Sequence, residues 1–186
     1  MHFNMHSKFV GTHAFLSASN YHWINYDEDK LQRTYLASLA ARRGLELHAL
    51  AHHLIRLGVK LPDTQQTLNL YVNDAIGFKM TPEQMLFVSE NCYGTADVIG
   101  FNRNFLRVHD LKTGVTEASP HQLEAYAAFF CLEYGVSPLT IQIELRIYQN
   151  DEVRVYETDP DDIMHIMDKI VTFDRYISAL RREALS

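Results

Sequence analysis

The chain has 186 residues, 47% of them hydrophobic and 22% charged, which suits one domain able to bury a core without disulfide or metal staples. Its net charge of −6 excludes a generally basic protein that coats a phosphate backbone, though not an enzyme that touches nucleic acid locally. No apolar run nears the roughly 18 residues a membrane-spanning helix needs, and the N-terminus lacks a signal-peptide layout, so the expected location is the cytoplasm, with no membrane partner.

In chain order, FLSASNYHWINYDED predicts a helix start capped near Ser19. Residues 29–57 carry helical periodicity, placing Leu36, Leu39, Ala40, Leu47, Leu50, Ala51 and Leu54 on one face. Gly44 interrupts that run and marks either a break or a close contact, and Gly58 stops it. A second amphipathic helix is predicted within 64–79. MLFVSE, TADVIGF and FLRVHDLK then read as strands, with NCYG and NRN as the turns between them.

SPHQLEAYAAFFCLEYG follows as a helix with Ser119 as N-cap, Pro120 at its first position and Gly135 after its last turn. LTIQIELRIY and EVRVYET alternate like two strands around QND, and Asp159-Pro160 opens a C-terminal helix running to about residue 183. The order gives an α/β chain, a mixed sheet flanked by helices. Two cysteines, Cys92 and Cys131, form no CxxC pair and cannot alone hold a zinc ribbon or an iron–sulfur cluster; Cys131 belongs to an apolar helix.

Chemistry concentrates in GTADVIGFNRNFLRVHDLKTG, residues 94–114. Thr95, Asp97 and Ile99 share one strand face by alternation, as do Asp110 and Lys112. If the NRN turn pairs Asn102 with Phe105, counting outward sets Asp97 opposite Asp110, with Cβ atoms about 4.5–5.5 Å apart. Two facing carboxylates repel unless a cation lies between them. A hard divalent ion such as Mg²⁺ fits there, polarising a phosphoryl oxygen and lowering the pKa of a water, with Lys112 to orient that water. The plainer alternative is a solvated edge pair worth about 0–1 kcal/mol.

These residues also carry a resemblance. GTADVIGF, VHDLKTG and HQLEAY, with GLELH upstream, resemble the core of the PD-(D/E)XK nuclease superfamily, in its RecB-like and phage exonuclease-like branch. The resemblance spans about residues 44–126 and implies a restriction-endonuclease-like αβββαβ core of about residues 44–157 within a single domain of 1–186, framed by N-terminal helices and a C-terminal helix.

It implies Asp97, Asp110 and Lys112 as catalytic residues. His48, Asp97, Asp110 and the Leu111 carbonyl would be ligands of Mg²⁺ or Mn²⁺, without an iron–sulfur cluster. Gln122 and Tyr126 would contact DNA or support the catalytic residues. Glu83 or Glu90 is a candidate further acid. The implied function is a metal-dependent DNA exonuclease of phage-type recombination, replication or repair, in a host cytoplasm if phage-encoded. Its partners would be DNA and either a second copy of itself or a recombination protein.

Several residues keep a second reading. His48 and His52, four apart, also suit zinc, yet surface or core-lining histidines account for HALAHH, and His52 and His53 are assigned to that role. SPHQ is a capping box that would occupy Gln122, and Tyr126 could simply pack on the sheet. The alternatives to an enzyme are a non-catalytic nuclease-fold module that binds nucleic acid or protein, and a metal- or nucleotide-binding protein built on the histidine-rich helix. For a basic track along DNA the candidates are Arg42, Arg43, Arg56, Lys60, Arg103 and Arg107.

Overall fold

A computed structural model describes residues 2–184. The elements run α1 (Glu28–Leu57), α2 (Thr67–Gly77), β1 (Thr81–Ser89), β2 (Cys92–Asn102), β3 (Phe105–Leu111), α3 (His121–Tyr134), β4 (Gln142–Gln149), β5 (Glu152–Glu157) and α4 (Pro160–Ala184). Among the described residues the chain is mixed α/β, with one five-stranded sheet of order β1-β2-β3-β4-β5 and four α-helices. No helix among the described residues is long and apolar enough to cross a membrane. Two compact units divide the chain, Met1–Arg43 and Gly44–Ser186.

In the first unit the helix expected near Ser19 is only a 3-10 segment, Tyr21–Asn25. The effective cap lies later: Asp27 Oδ1 accepts the Lys30 N–H at 2.7 Å, satisfying a donor that helix geometry leaves open at the start of α1. The Trp23 indole donates to the Ser17 carbonyl at 2.9 Å, and Phe15 and Tyr35 meet edge to face at 5.1 Å.

In the second unit every neighbouring strand pair is antiparallel except β3 with β4, which is parallel because α3 intervenes as the crossover. The sheet is packed on both faces. Leu106, Val108, Leu145 and Ile147 meet Leu123, Ala127 and Cys131 of α3 and Ile163 of α4. Val98, Leu111 and Tyr148 meet Ala51 and Ile55 of α1 and Tyr71, Val72 and Ala75 of α2. Asp159 caps α4 by accepting the Asp161 N–H at 2.9 Å, with Pro160 at the first helical position. The N-terminus of α2 is capped from a distance, since Asp151 in the β4–β5 turn accepts both the N–H and the hydroxyl of Thr67 at 2.8 and 2.9 Å.

Four expectations need correction. The turn before β2 is Glu90-Asn91 rather than NCYG, because Ser89 pairs with Cys92 and Gly94 lies inside a strand. Strand β1 starts at Thr81, four residues before MLFVSE; Pro82 lacks a donor, which an edge strand tolerates. Helix α3 begins at His121 with Pro120 as its cap residue, so the Ser119–Gln122 capping box does not form. Finally, α1 runs through Gly44 without a break, and its buried positions are Gly44, Ala51, His52 and Ile55, whereas Leu36, Leu39 and Leu50 are exposed.

Candidate metal and phosphodiester site

A two-residue turn sets the site. Arg103 and Asn104 both have positive φ, 52° and 59°, the pattern of a type I′ hairpin whose twist matches its strands. Asn102 therefore pairs with Phe105, and the ladder runs outward to Val98 opposite His109. The ladder ends there, one step short of Asp97 and Asp110, and Asp97 Oδ2 accepts the Leu111 N–H at 3.4 Å. Asp97 also sits at an irregularity. Ala96 and Val98, two residues apart, pack in different clusters, so the expected common face of Thr95, Asp97 and Ile99 is interrupted there. Across from it, Glu83 of β1 is skipped by the ladder and holds φ at 51°, an uncommon conformation for a residue with a Cβ.

Asp97 and Asp110 feel each other and are tuned apart. Asp110 is buried, and burial together with the charge of Asp97 pushes its carboxyl up to about 6, with Lys112 pulling the other way. For Asp97 burial again raises the pKa, but the hydrogen bond and charge of His48, aided by the Leu111 N–H, outweigh it and hold the carboxyl below the usual range. His48 Nδ1 lies 3.2 Å from Asp97 Oδ2, and that bond raises the imidazole pKa against the effect of burial.

Lys112 is anchored at two points. Its Nζ donates to Asp110 Oδ1 at 3.1 Å and lies 2.9 Å from Oδ2, and it donates to Gln122 Oε1 at 2.9 Å. Because a lysine only donates, the oxygen of the Gln122 amide must be the atom facing it. The Lys112 N–H meanwhile bonds the Tyr148 carbonyl in β4 at 2.9 Å. In a trans peptide the preceding carbonyl points the opposite way, so the Leu111 carbonyl is directed toward the β2 side, where Asp97 stands. An open cleft of about 410 Å³, lined by Leu47, Thr67, Leu111, Lys112, Thr113 and Asp151 among others, adjoins Lys112.

Two glycines of the sequence motifs receive side chains of the others. A Cβ on Gly44 would stand 2.6 Å from Thr113 Oγ1, and a Cβ on Gly94 would stand 3.1 Å from Tyr126 Cε1. Tyr126 thus lies against β2, edge to face with Phe129 at 6.0 Å, while Gln122, one turn earlier on α3, reaches the lysine.

Of the other candidates, Glu90 pairs with Arg181 at 3.1 Å, whereas Glu83 lies beside the site. Arg56 is paired with Glu83, and Arg107 is paired with Glu144 and stacked over Phe78 and Phe105, so neither is an uncommitted contact for a phosphate.

Sequence reasoning missed Tyr71 here, assigned His52 a structural role, and left Glu83 as one of two candidate acids. His52 is buried one turn beyond His48, with Nδ1 3.2 Å from Glu83 Oε1, and its spacing from His48 was the available signal. Of the two candidate acids, Glu83 is the one beside His52, while Glu90 pairs with Arg181. Tyr71 of α2 is fully buried, and the charges of Asp97 and Asp110 add to burial in holding its phenol protonated; nothing in the chain marks it.

Both ring nitrogens of His52, the Tyr71 hydroxyl and Asp110 Oδ2 find no hydrogen-bond partner among the described residues. For His52 Nδ1 and Asp110 Oδ2 a charged neighbour is within reach but off the line of a hydrogen bond. Buried polar atoms are rarely left so. The Tyr71 hydroxyl and Asp110 Oδ2, together with the Asp97 carboxylate and an inward carbonyl, form an oxygen-rich set that suits a hard divalent cation. Comparison of the chain with protein-family models and with curated proteins finds no match.

Proposed function

We propose that this protein is a Mg²⁺- or Mn²⁺-dependent deoxyribonuclease with the restriction-endonuclease-like αβββαβ core of the PD-(D/E)XK nucleases. The observation that carries this reading is the pairwise meeting of four separate motifs. Gly44 accommodates Thr113, His48 bonds Asp97, Gly94 accommodates Tyr126, and Lys112 bonds Gln122. The order of a helix, three antiparallel strands, a helix and a parallel strand supports it as well.

In this reading Asp97, Asp110, the Leu111 carbonyl and His48 hold the cation. When bound, a divalent cation supplies Lewis acidity toward a phosphoryl oxygen and a water. Lys112, held by Asp110 and Gln122, places an ammonium where it can orient the attacking water or offset charge developing on the phosphate. Asp97, held below the usual carboxylate range by His48, and the ionised form of Asp110 would supply the negative charge that holds such a cation.

The test is degradation of DNA by the purified chain in Mg²⁺ or Mn²⁺, with EDTA as the control. Cleavage should vanish in Lys112→Ala and Asp97→Ala with the fold retained, and linear DNA should be consumed faster than closed circles if an end is required. DNA binding without cleavage under every metal would replace this reading with that of a non-catalytic module.

A further inference from the structure

Beside the carboxylate pair lies a second donor set of different chemistry. The donor atoms of His48, His52 and Asp97 all fall within 4.8 Å of one another, and the two imidazole rings, one helical turn apart, stand edge to face at 6.0 Å. His52 is buried with neither ring nitrogen hydrogen-bonded among the described residues, an arrangement a core histidine seldom shows. Glu83 closes the other side, its Oε1 3.2 Å from His52 Nδ1, on a backbone held at φ 51°. A left-handed glutamate in a strand persists only where its surroundings over-determine it, and Arg56 and His52 both grip this carboxylate.

We infer that His48, His52 and Asp97, with Glu83 at the edge, form a nitrogen-rich site for a borderline transition-metal ion such as Zn²⁺ or Co²⁺. The inference shares Asp97 and His48 with the proposed nuclease site and otherwise stands apart from it. Two imidazoles and a carboxylate are the donor set of three-ligand zinc and related centres, whereas Mg²⁺ takes oxygen ligands and retains its waters. The two sites therefore differ in selectivity, and Asp97 is the carboxylate common to both.

Co²⁺ titration of the full-length chain, followed by visible absorption and calorimetry, tests this without reference to DNA cleavage. The wild type should bind Co²⁺ with ligand-field bands that millimolar Mg²⁺ does not displace. Asp110→Asn, which removes the oxygen-rich site, should keep that binding. His52→Leu, which fills the same space without a nitrogen, should weaken it by at least about tenfold, since loss of a ligand exceeds the usual effect of losing an outer partner. Should His52→Leu not fold, Glu83→Gln decides, with an expected loss of about threefold to tenfold.

Wild-type Co²⁺ affinity in folded His52→Leu would overturn the inference, as would complete loss of Co²⁺ binding in Asp110→Asn. Either result can coexist with Mg²⁺-dependent cleavage, so failure here leaves the nuclease reading standing. Co²⁺ binding through His52 in a chain that never cuts DNA would sink that reading alone.

Discussion

Asp110→Asn should stabilise the metal-free protein, and by an amount that depends on pH. Burial and the charge of Asp97 raise the Asp110 carboxyl from an ordinary 3.8 to about 6, with the attraction of Lys112 already counted in that figure. At 1.36 kcal/mol per pKa unit the difference is on the order of 3 kcal/mol. Between those two pH values the folded chain keeps a proton that the unfolded chain has released. Stability therefore falls as pH rises through this window, and the full cost is present above about pH 7.

An asparagine cannot ionise and escapes that cost. In EDTA the variant should match the wild type near pH 4 and exceed it by about 2–3 kcal/mol at pH 8. For a domain of this size that raises Tm by about 5–10 °C. A cation held by Asp110 should close the gap from the other side. Mg²⁺ at a hundredfold its Kd stabilises the wild type by about 2.7 kcal/mol and should leave Asp110→Asn nearly unchanged. Urea unfolding across pH 4–8, with and without Mg²⁺, measures all of this. A variant no more stable than wild type at pH 8, or a gap independent of pH, would refute the assignment of Asp110 as a buried carboxylate poised for a cation.

Other perturbations should separate scaffold from chemistry. Gly44→Ala should cost about 1 kcal/mol in urea unfolding despite alanine's better helix propensity, and Thr113→Ala should recover most of it, giving a coupling of about 1 kcal/mol in a double-mutant cycle. Gln122→Ala should lower DNA cleavage by about 10–100-fold by freeing the lysine head, while Gln122→Glu, which keeps an acceptor for it, should retain more activity. Tyr148→Phe breaks the phenol contacts to Asp74 and His109 at 2.7 and 3.2 Å. It should cost about 1–3 kcal/mol of stability with Mn²⁺ affinity unchanged, and a fall in affinity would extend the metal site to that network.

How much of this was legible in the chain follows from where each signal resides. The hairpin was readable because a two-residue turn is local, and the pairing of Asn102 with Phe105 follows from it, whereas the step to Asp97 and Asp110 lies past the end of the paired ladder. The start of α4 was equally local, an Asp-Pro pair. The buried face of α1 was not readable. Periodicity selects leucines, yet Leu50 faces solvent and His52 faces inward, because the partners that make a buried histidine tolerable, Glu83 and the cluster around Asp97, lie far away in sequence. Gln122 was ambiguous for a related reason. A capping box and a lysine anchor use the same amide, and only the tertiary position of β3 chose between them.

Glycine carries two different lessons. In NCYG it suggested a turn that does not form there, and in α1 a break or a close contact, of which the close contact to Thr113 is found; Gly94 and Gly44 both lie inside regular elements, where each costs about 0.5–1 kcal/mol relative to alanine. What offsets that cost is access. Removing a Cβ at Gly94 lets the Tyr126 ring close onto β2, and removing one at Gly44 lets Thr113 close onto α1. Gly44 precedes His48 by four residues, one helical turn or about 6 Å, so the depth at which α1 meets Thr113 also sets the height of His48 over Asp97. A side chain there would meet Thr113 Oγ1 at 2.6 Å, on the same stretch of α1 that holds His48 3.2 Å from Asp97, the contact that helps keep the Asp97 carboxyl below its usual range. The uncharged members of the motifs thus act on the charged ones through distance. That is why VHDLKTG becomes interpretable as a site only alongside GLELH and HQLEAY.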